Sequence, residues 1–234
     1  MAKNMILTIL SDTHNKHKHI TGDLKGGDLL LHAGDISSMG YEHEIREFAK
    51  WYNSLNNYKY KMFISGNHDW GFQNNVDKIK GLLTEYKNID YIEDELFTIK
   101  DGDGPEIKIW GSPWQPEFYN WAFNLPRNGE ELKSKWDMIP DDIDILITHG
   151  PAWGMLDDVE GRRGQHLGCK LLAERIKQIK PKIHICGHIH SGYGHYFDGN
   201  THYFNAAVLN ERYLYSHTPW HIDWNPITNE ITFL

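Results

Sequence analysis

Short hydrophobic runs alternate along the chain with stretches in which hydrophobic residues recur at helical spacing. The short runs predict β-strands at residues 5–10, 28–32, 61–65, 108–111, 143–148 and 182–187. Helical periodicity predicts helices at residues 41–55, 76–86 and 167–179, the last ended by Pro181. Strands that alternate with helices are typical of an α/β protein.

The pattern changes after residue 187, where short, turn-bounded strands are predicted at residues 193–197, 201–205 and 230–233. Asp198-Gly199-Asn200 is a strong hairpin signal, so these strands are expected to be antiparallel and to complete a second sheet. Residues 113–126 are rich in proline and aromatic residues and have no predicted element. No repeat or linker divides the sequence, which predicts a single domain over residues 1–234.

Composition limits the classes of partner. The formal net charge of −8 argues against polymeric nucleic acid, which needs clustered Lys and Arg, but it is compatible with a small phosphorylated substrate. The two cysteines cannot form a disulfide framework, which favours a reducing, cytoplasmic location. No hydrophobic run approaches the ~20 residues of a membrane span, so no membrane association is expected. Oligomeric state is left open.

Polar clusters follow five of the predicted strands. They are Asp12-Thr13-His14, Gly34-Asp35, Gly66-Asn67-His68-Asp69, His149-Gly150 and Gly187-His188-Ile189-His190. In open α/β sheets ligands bind outside the carboxyl ends of the strands, so the five clusters are expected to converge on one crevice. Any one cluster is a weak signal, since each is also a common turn sequence, but the five together are specific.

The residue types indicate a metal centre. Carboxylate and amide oxygens with imidazole nitrogens suit Mn²⁺, Fe, Zn²⁺, Co²⁺ or Mg²⁺, and no thiolate is present in the clusters. The candidate ligands are Asp12, His14, Asp35, Asn67, His149, His188 and His190. Seven ligands exceed the needs of one ion and are appropriate for two ions that share a bridging carboxylate.

These motifs resemble those of the calcineurin-like metallophosphoesterase superfamily, which are D-x-H, G-D, G-N-H-[DE], a later His and G-H-x-H. The resemblance extends from Asp12 to His190. It implies a four-layer α/β/β/α sandwich with two mixed sheets and a metal site at the carboxyl ends of the strands. It also implies two divalent metal ions, with manganese favoured.

The resemblance also implies a role for each residue. Asp12, His14, Asp35 and His190 would hold one ion, and Asp35, Asn67, His149 and His188 the other, with Asp35 bridging. His68 would be the catalytic acid that protonates the leaving oxygen, and Asn67 and His68 would contact the substrate.

A narrower likeness links residues 110–116 (WGSPWQP), residues 148–151 (THGP) and Asn15 to the metallophosphoesterase-domain-containing subfamily, whose members include cyclic-nucleotide phosphodiesterases. One feature departs from calcineurin-type phosphatases. Ser38 and Met39 stand where those enzymes have an Asp and an Arg. Asp69 is therefore a candidate to orient His68. Arg162 and Arg163 either bind phosphate or are simply solvated in a glycine-flanked loop.

The expected function is metal-dependent hydrolysis of a phosphodiester or monoester by hydroxide that two ions activate, with a small nucleotide-like or cyclic-nucleotide substrate. Loop tryptophans either stack on a nucleobase or pack the loops; they are Trp70, Trp114, Trp121 and Trp153. The alternatives are a non-catalytic interaction module on the same fold, a phosphomonoesterase or protein phosphatase, and a nuclease.

Overall fold

The structure, a computed structural model, describes residues 4–100, 104–159 and 164–234. The strands are β1 (Met5–Leu10), β2 (Gly27–Ala33), β3 (Tyr58–Ile64), β4 (Asp90–Tyr91), β5 (Glu95–Lys100), β6 (Glu106–Ser112), β7 (Gln115–Pro116), β8 (Asn124–Leu125), β9 (Ile145–Thr148), β10 (Ile183–Cys186), β11 (Gly194–Phe197), β12 (His202–Asn205), β13 (Trp220–Trp224) and β14 (Ile231–Phe233). The α-helices are α1 (His17–Ile20), α2 (Glu42–Ser54), α3 (Trp70–Asn74), α4 (Val76–Leu83), α5 (Glu130–Asp137) and α6 (Lys170–Ile179), and short 3₁₀ turns lie at Thr21–Asp23 and His190–Gly192.

Two six-stranded mixed sheets form the centre of the molecule. The first has the order β14-β13-β1-β2-β3-β4, in which β1 to β4 are parallel and β13 and β14 are antiparallel to their neighbours. The second has the order β11-β12-β10-β9-β6-β5, with antiparallel strands at its two edges. Strands β7 and β8 pair separately.

Burial on both faces of the central strands explains their continuous hydrophobic sequences. In β2, Leu29 and Leu31 enter the core between the two sheets, whereas Leu30 faces the cluster that contains Phe48 of α2. In the second sheet Leu146 packs with residues of α5 and α6. Three hydrophobic clusters therefore separate four layers, and the predicted α/β/β/α sandwich is confirmed.

All six strands predicted before residue 187 are present, with bounds shifted by a few residues. The hairpin at residues 198–200 also joins two antiparallel strands of the second sheet, β11 and β12. The prediction for residues 230–233 is wrong in its sheet, because β14 pairs with β13, which pairs with β1 of the first sheet. Hydrophobic patterning indicates that a strand exists but does not choose its partner.

Two of the other differences have local causes. Helix α6 begins at Lys170, three residues after the predicted start, because the Cys169 sulfur accepts a hydrogen bond from the Leu172 amide as an N-cap. Strand β5 was not predicted, since it is an edge strand with mostly exposed or half-exposed side chains. Among the helices of the described residues, none combines the length and hydrophobicity needed to cross a bilayer.

Tyr52 joins the helical layer to the first sheet. Its buried hydroxyl lies 2.9 Å from the carbonyl oxygen of Leu30 and 2.8 Å from that of Met62. We expect Tyr52→Phe to lower the free energy of unfolding by about 1–2 kcal/mol, because buried carbonyl oxygens lose a donor. Urea denaturation at equilibrium measures this change, and the exposed Tyr196→Phe should change stability by less than about 0.5 kcal/mol. Equal effects of the two substitutions would contradict the role of the Tyr52 hydroxyl.

Candidate metal centre

The polar clusters that follow β1, β2, β3, β9 and β10 meet at one edge of the sandwich. Backbone hydrogen bonds join their loops, from the Asp12 amide to the Gly34 carbonyl (3.0 Å) and from the Gly187 amide to the His149 carbonyl (2.9 Å). The loops come from both sheets, and parallel strands deliver their carboxyl ends to the same edge. The structure thus brings together all seven predicted ligands and His68.

Asp12, His14 and His190 form the first group of side chains. Their ligand atoms lie within 4.8 Å of one another, and His190 Nε2 is 3.3 Å from Asp12 Oδ1. His14 Nε2 also lies 3.5 Å from Asp35 Oδ2. All four side chains are buried.

Asn67, His149 and His188 form the second group. Asn67 Oδ1 is 2.7 Å from His188 Nδ1 and 3.0 Å from His149 Nε2. His149 Nε2 lies 3.4 Å from Asp35 Oδ2, the same oxygen that approaches His14. The Asp35 carboxylate therefore approaches both groups, the position that a ligand shared by two ions would occupy.

Backbone carbonyl oxygens orient three of the imidazoles. The Nδ1 atoms of His14, His149 and His190 lie 3.2, 2.9 and 3.0 Å from the carbonyl oxygens of Ser37, Ala33 and Asn210. A carbonyl oxygen can only accept, so each Nδ1 carries a hydrogen and each Nε2 faces the carboxylates. Ligand histidines in proteins are commonly oriented in this way.

The electrostatics of the centre suit divalent cations. Burial opposes ionisation of Asp12 and Asp35, but the nearby imidazoles of His190 and His149 hold the pKa of each carboxyl below its usual value. Burial alone would lower the pKa of His149 and His190, yet these carboxylates raise both to about 9. Among the described residues no Lys or Arg forms an ion pair with either carboxylate.

One ligand nitrogen lacks any hydrogen-bonding partner. His14 Nε2 is buried and unpaired, although it faces Asp12 and Asp35, and burial lowers the pKa of His14 to about 4. A buried polar atom without a partner is costly, and a cation held by the two carboxylates would satisfy it. The donor set, the two buried carboxylates and this nitrogen together fit a pair of divalent ions.

The backbone around the centre is tightly constrained. Four candidate ligands have left-handed backbone conformations, with φ of 55° at Asp12, 37° at His14, 53° at Asp35 and 66° at His188. Such conformations are uncommon for residues other than glycine and cluster at functional sites. At Gly187 an added Cβ would stand 2.0 Å from Asp12 Oδ2, so only glycine permits this approach.

His68 lies beside the first group. Its backbone amide donates to Asp35 Oδ1 (2.9 Å), and its Nδ1 is 2.8 Å from the carbonyl oxygen of Ser38. The hypothesis that Asp69 orients His68 is wrong. The Asp69 carboxylate accepts instead from the amides of Ile36, Ser37 and Gly66 at 3.2, 3.0 and 2.8 Å and from the Ser37 hydroxyl. Burial and the nearby Asp35 raise the pKa of Asp69 to about 7.

The loop tryptophans have different surroundings. Trp70 and Trp114 are half-buried against the hydrophobic cluster around Phe48 of α2, called here the helical-layer cluster. Trp114 Nε1 also donates to Asp94 (2.8 Å), so the packing interpretation holds for both. Trp153 is 41% exposed. Trp121 stacks on His68, with ring centroids 4.0 Å apart and an interplanar angle of 27°.

A cleft of about 410 Å³ adjoins the second group at His188. Phe118 and Tyr119 line it and are 42% and 78% exposed. Arg127 alone among the described lining residues is a Lys or Arg, and its Nη1 donates to the carbonyls of Leu167 (2.9 Å) and Gly168 (3.1 Å). The predicted phosphate contacts Arg162 and Arg163 lie outside the described residues.

Sequence reasoning missed Tyr213. Its ring centroid lies 4.9 Å from that of His14 and 5.5 Å from that of His190, so it covers one side of the first group. The Asn210 carbonyl that orients His190 belongs to the same loop and also accepts from the Tyr213 amide (2.7 Å). Neither residue is near a motif in sequence, and a carbonyl contact leaves no side-chain signal.

Comparison with known proteins identifies the family. Residues 5–192 match the calcineurin-like phosphoesterase family, and the chain belongs to that family. It is 38% identical over 238 aligned positions to metallophosphoesterase domain-containing protein 1 of Homo sapiens, covering 92% of this chain and 69% of that protein. It is 37% identical to UPF0046 protein T07D4.2 of Caenorhabditis elegans, covering 85% of this chain and 54% of that protein.

A solved structure shows the same fold. TT1561 of Thermus thermophilus superposes with a TM-score of 0.63 at 12% identity and covers 99% of this chain and 98% of that chain. With so low an identity, the likeness concerns the fold alone.

The position of Asp35 generates a test of ion binding. We expect Asp35→Asn to lose divalent ions from both groups, because one shared carboxylate serves both. Elemental analysis after dialysis against Mn²⁺ should show two ions per wild-type chain and fewer than one in the variant. Asp94→Asn, which alters a carboxylate bonded to Ser112 and Trp114, is the matched control and should retain both ions. Two ions in Asp35→Asn would contradict the bridging position.

Proposed function

We propose that the protein is a metallophosphoesterase that hydrolyses a phosphodiester or phosphomonoester at a centre of two divalent ions, with manganese the favoured metal. The observation that carries the proposal is the Asp35 carboxylate, which stands 3.5 and 3.4 Å from the imidazoles of the two groups with His68 alongside. Asp12, His14, Asp35 and His190 would hold one ion. Asp35, Asn67, His149 and His188 would hold the other.

Two such ions, when bound, supply positive charge for the phosphoryl oxygens and lower the pKa of a water molecule. Side chains of the protein supply the proton donor and the substrate contacts. His68 Nδ1 faces the Ser38 carbonyl, so Nε2 is the atom left to donate a proton to the leaving oxygen. Asn67 and His68 follow β3 on one turn and contact the substrate together. Both cysteines are buried with a raised pKa, so neither serves as a nucleophile.

The cleft beside His188 supports a nucleotide-like substrate. Exposed aromatic rings at Phe118 and Tyr119 suit a flat base, and Arg127 supplies a cation. Its volume of about 410 Å³ suits a small ligand. The net charge of −8 disfavours a polymeric nucleic acid. We therefore favour a small phosphodiester such as a cyclic nucleotide over a protein or polynucleotide substrate.

The role of His68 predicts a dependence on the leaving group. We expect His68→Ala to lower kcat for esters of alkyl alcohols by roughly 10²–10⁴-fold, the usual contribution of general acid catalysis. Hydrolysis of bis-p-nitrophenyl phosphate should fall far less, because p-nitrophenolate leaves without a proton. Steady-state kinetics on Mn²⁺-loaded protein measures both.

His43→Ala is the matched control for this experiment, since His43 is an exposed histidine on α2. It should leave both rates unchanged. Equal losses on the two substrates in His68→Ala would remove His68 as the proton donor. A wild-type protein that binds two ions and hydrolyses neither substrate would overturn the proposed activity itself.

The aromatic wall of the cleft predicts a second effect. We expect Tyr119→Ala to raise KM for a cyclic nucleotide by roughly tenfold with kcat nearly unchanged, since stacking on a base contributes about 1–3 kcal/mol. Phe197→Ala removes an exposed aromatic ring of β11, outside the cleft lining, and should leave KM as it is. An unchanged KM in Tyr119→Ala would exclude base stacking at this wall.

A further inference from the structure

We propose that Trp121 is a positioning residue for His68 and holds the imidazole in the plane from which Nε2 delivers its proton. The inference rests on the proposed function, in which His68 is the acid. It starts from the stack of the two rings, whose centroids are 4.0 Å apart with an interplanar angle of 27°.

The hydrogen bond to Ser38 does not by itself fix the ring of His68. A single Nδ1–H···O contact of 2.8 Å tolerates a range of angles, so the side-chain torsions of His68 can still shift while the contact is kept. Such a shift would move Nε2 away from the substrate. The indole face of Trp121 covers one side of the imidazole and removes this freedom. The hydrogen bond and the stack together determine both the position and the plane.

A second ring also restricts His68. The His14 ring meets the imidazole edge-on, with centroids 4.6 Å apart and an interplanar angle of 83°. His14 is itself oriented by the Ser37 carbonyl. His68 therefore contacts a stacked indole and a fixed imidazole, and Trp121, unlike His14, is not one of the candidate ligands.

Trp121 is tied to the turn that carries His68. The amide of the next residue, Ala122, donates to the Asn67 carbonyl (3.1 Å), so the Trp121 backbone follows the Asn67-His68 backbone. The Phe123 amide donates to Gln73 Oε1 (2.8 Å) on α3, which begins two residues after His68. Ala122 and Phe123 are fully buried in the helical-layer cluster. The indole is thus anchored on the side that flanks the imidazole.

The Ser38 carbonyl and the Trp121 ring take the place of a carboxylate side chain that would orient His68. Ser38 stands where calcineurin-type phosphatases have an acidic residue, and the Asp69 carboxylate is fully used on backbone amides and Ser37. No carboxylate among the described residues is hydrogen-bonded to the His68 ring. A backbone carbonyl with an aromatic stack performs the orienting task in this chain.

The kinetic test uses Trp121→Leu and Trp121→Phe. We expect Trp121→Leu to lower kcat for alkyl esters by roughly tenfold, a part of the full contribution of the acid, with KM within about twofold. Its rate on bis-p-nitrophenyl phosphate and its content of Mn²⁺ should match those of the wild type. Trp121→Phe, which keeps an aromatic face, should recover most of the loss.

A double-mutant cycle separates positioning from general damage. In the His68→Ala background, Trp121→Leu should cause no further loss, because the two residues act through one proton transfer. The matched control is Trp220→Leu, which removes a half-buried tryptophan that stacks on Tyr193 (4.9 Å, 12°) rather than on His68. It should preserve the ratio of the two rates.

An NMR measurement on the metal-free chain reads the geometry without catalysis. The ring protons of His68, assigned with His68→Gln, lie over the indole face and should move downfield in Trp121→Leu but not in Trp220→Leu. Unmoved resonances, equal losses on both esters or additive losses in the cycle would each overturn the inference. A wild-type protein inactive on both esters would overturn the proposed activity, while the NMR result would still decide the positioning.

Discussion

Two buried carboxylates at the junction of the two sheets set the requirement that the surrounding structure meets. Asp12 and Asp35 are almost fully removed from water, and a negative charge in such a place must be balanced nearby. The described residues bring imidazoles to this task and no Lys or Arg. Divalent cations satisfy the same requirement with more charge in a smaller volume. The donor types, the unpaired His14 nitrogen and the close approach of the backbone at Gly187 to Asp12 all fit such ions.

The fold meets this requirement through the direction of its strands. Hydrophobic residues on both faces hold the central strands in place between the layers, so the carboxyl ends of the strands are fixed points. Polar residues that directly follow these strands are held in position by the strand ends. Left-handed backbone at Asp12, Asp35 and His188 then turns their side chains toward the centre. The strain of these turns is sustained by the packing beneath them.

The strands and the ligand residues could be predicted because each motif directly follows a hydrophobic run, and strand direction then implies convergence. Contacts made by main-chain atoms could not be predicted from the sequence. The Ser38 and Asn210 carbonyls orient His68 and His190, yet no side-chain identity records this. Trp121 was noted as a loop aromatic residue. Its contact with His68 could not be predicted, because the course of an irregular loop leaves no periodic pattern in the sequence. The sheet of β14 was mispredicted for the related reason that pairing is a long-range choice.

The candidate ligands come from both sheets, with Asp12, His14, Asp35 and Asn67 from the first and His149, His188 and His190 from the second. Ions held by these residues would link the two halves of the sandwich, at the end opposite the amino termini of the parallel strands. Binding of the ions would therefore also stabilise the packing of one sheet against the other, and removal of the ions would lower the melting temperature.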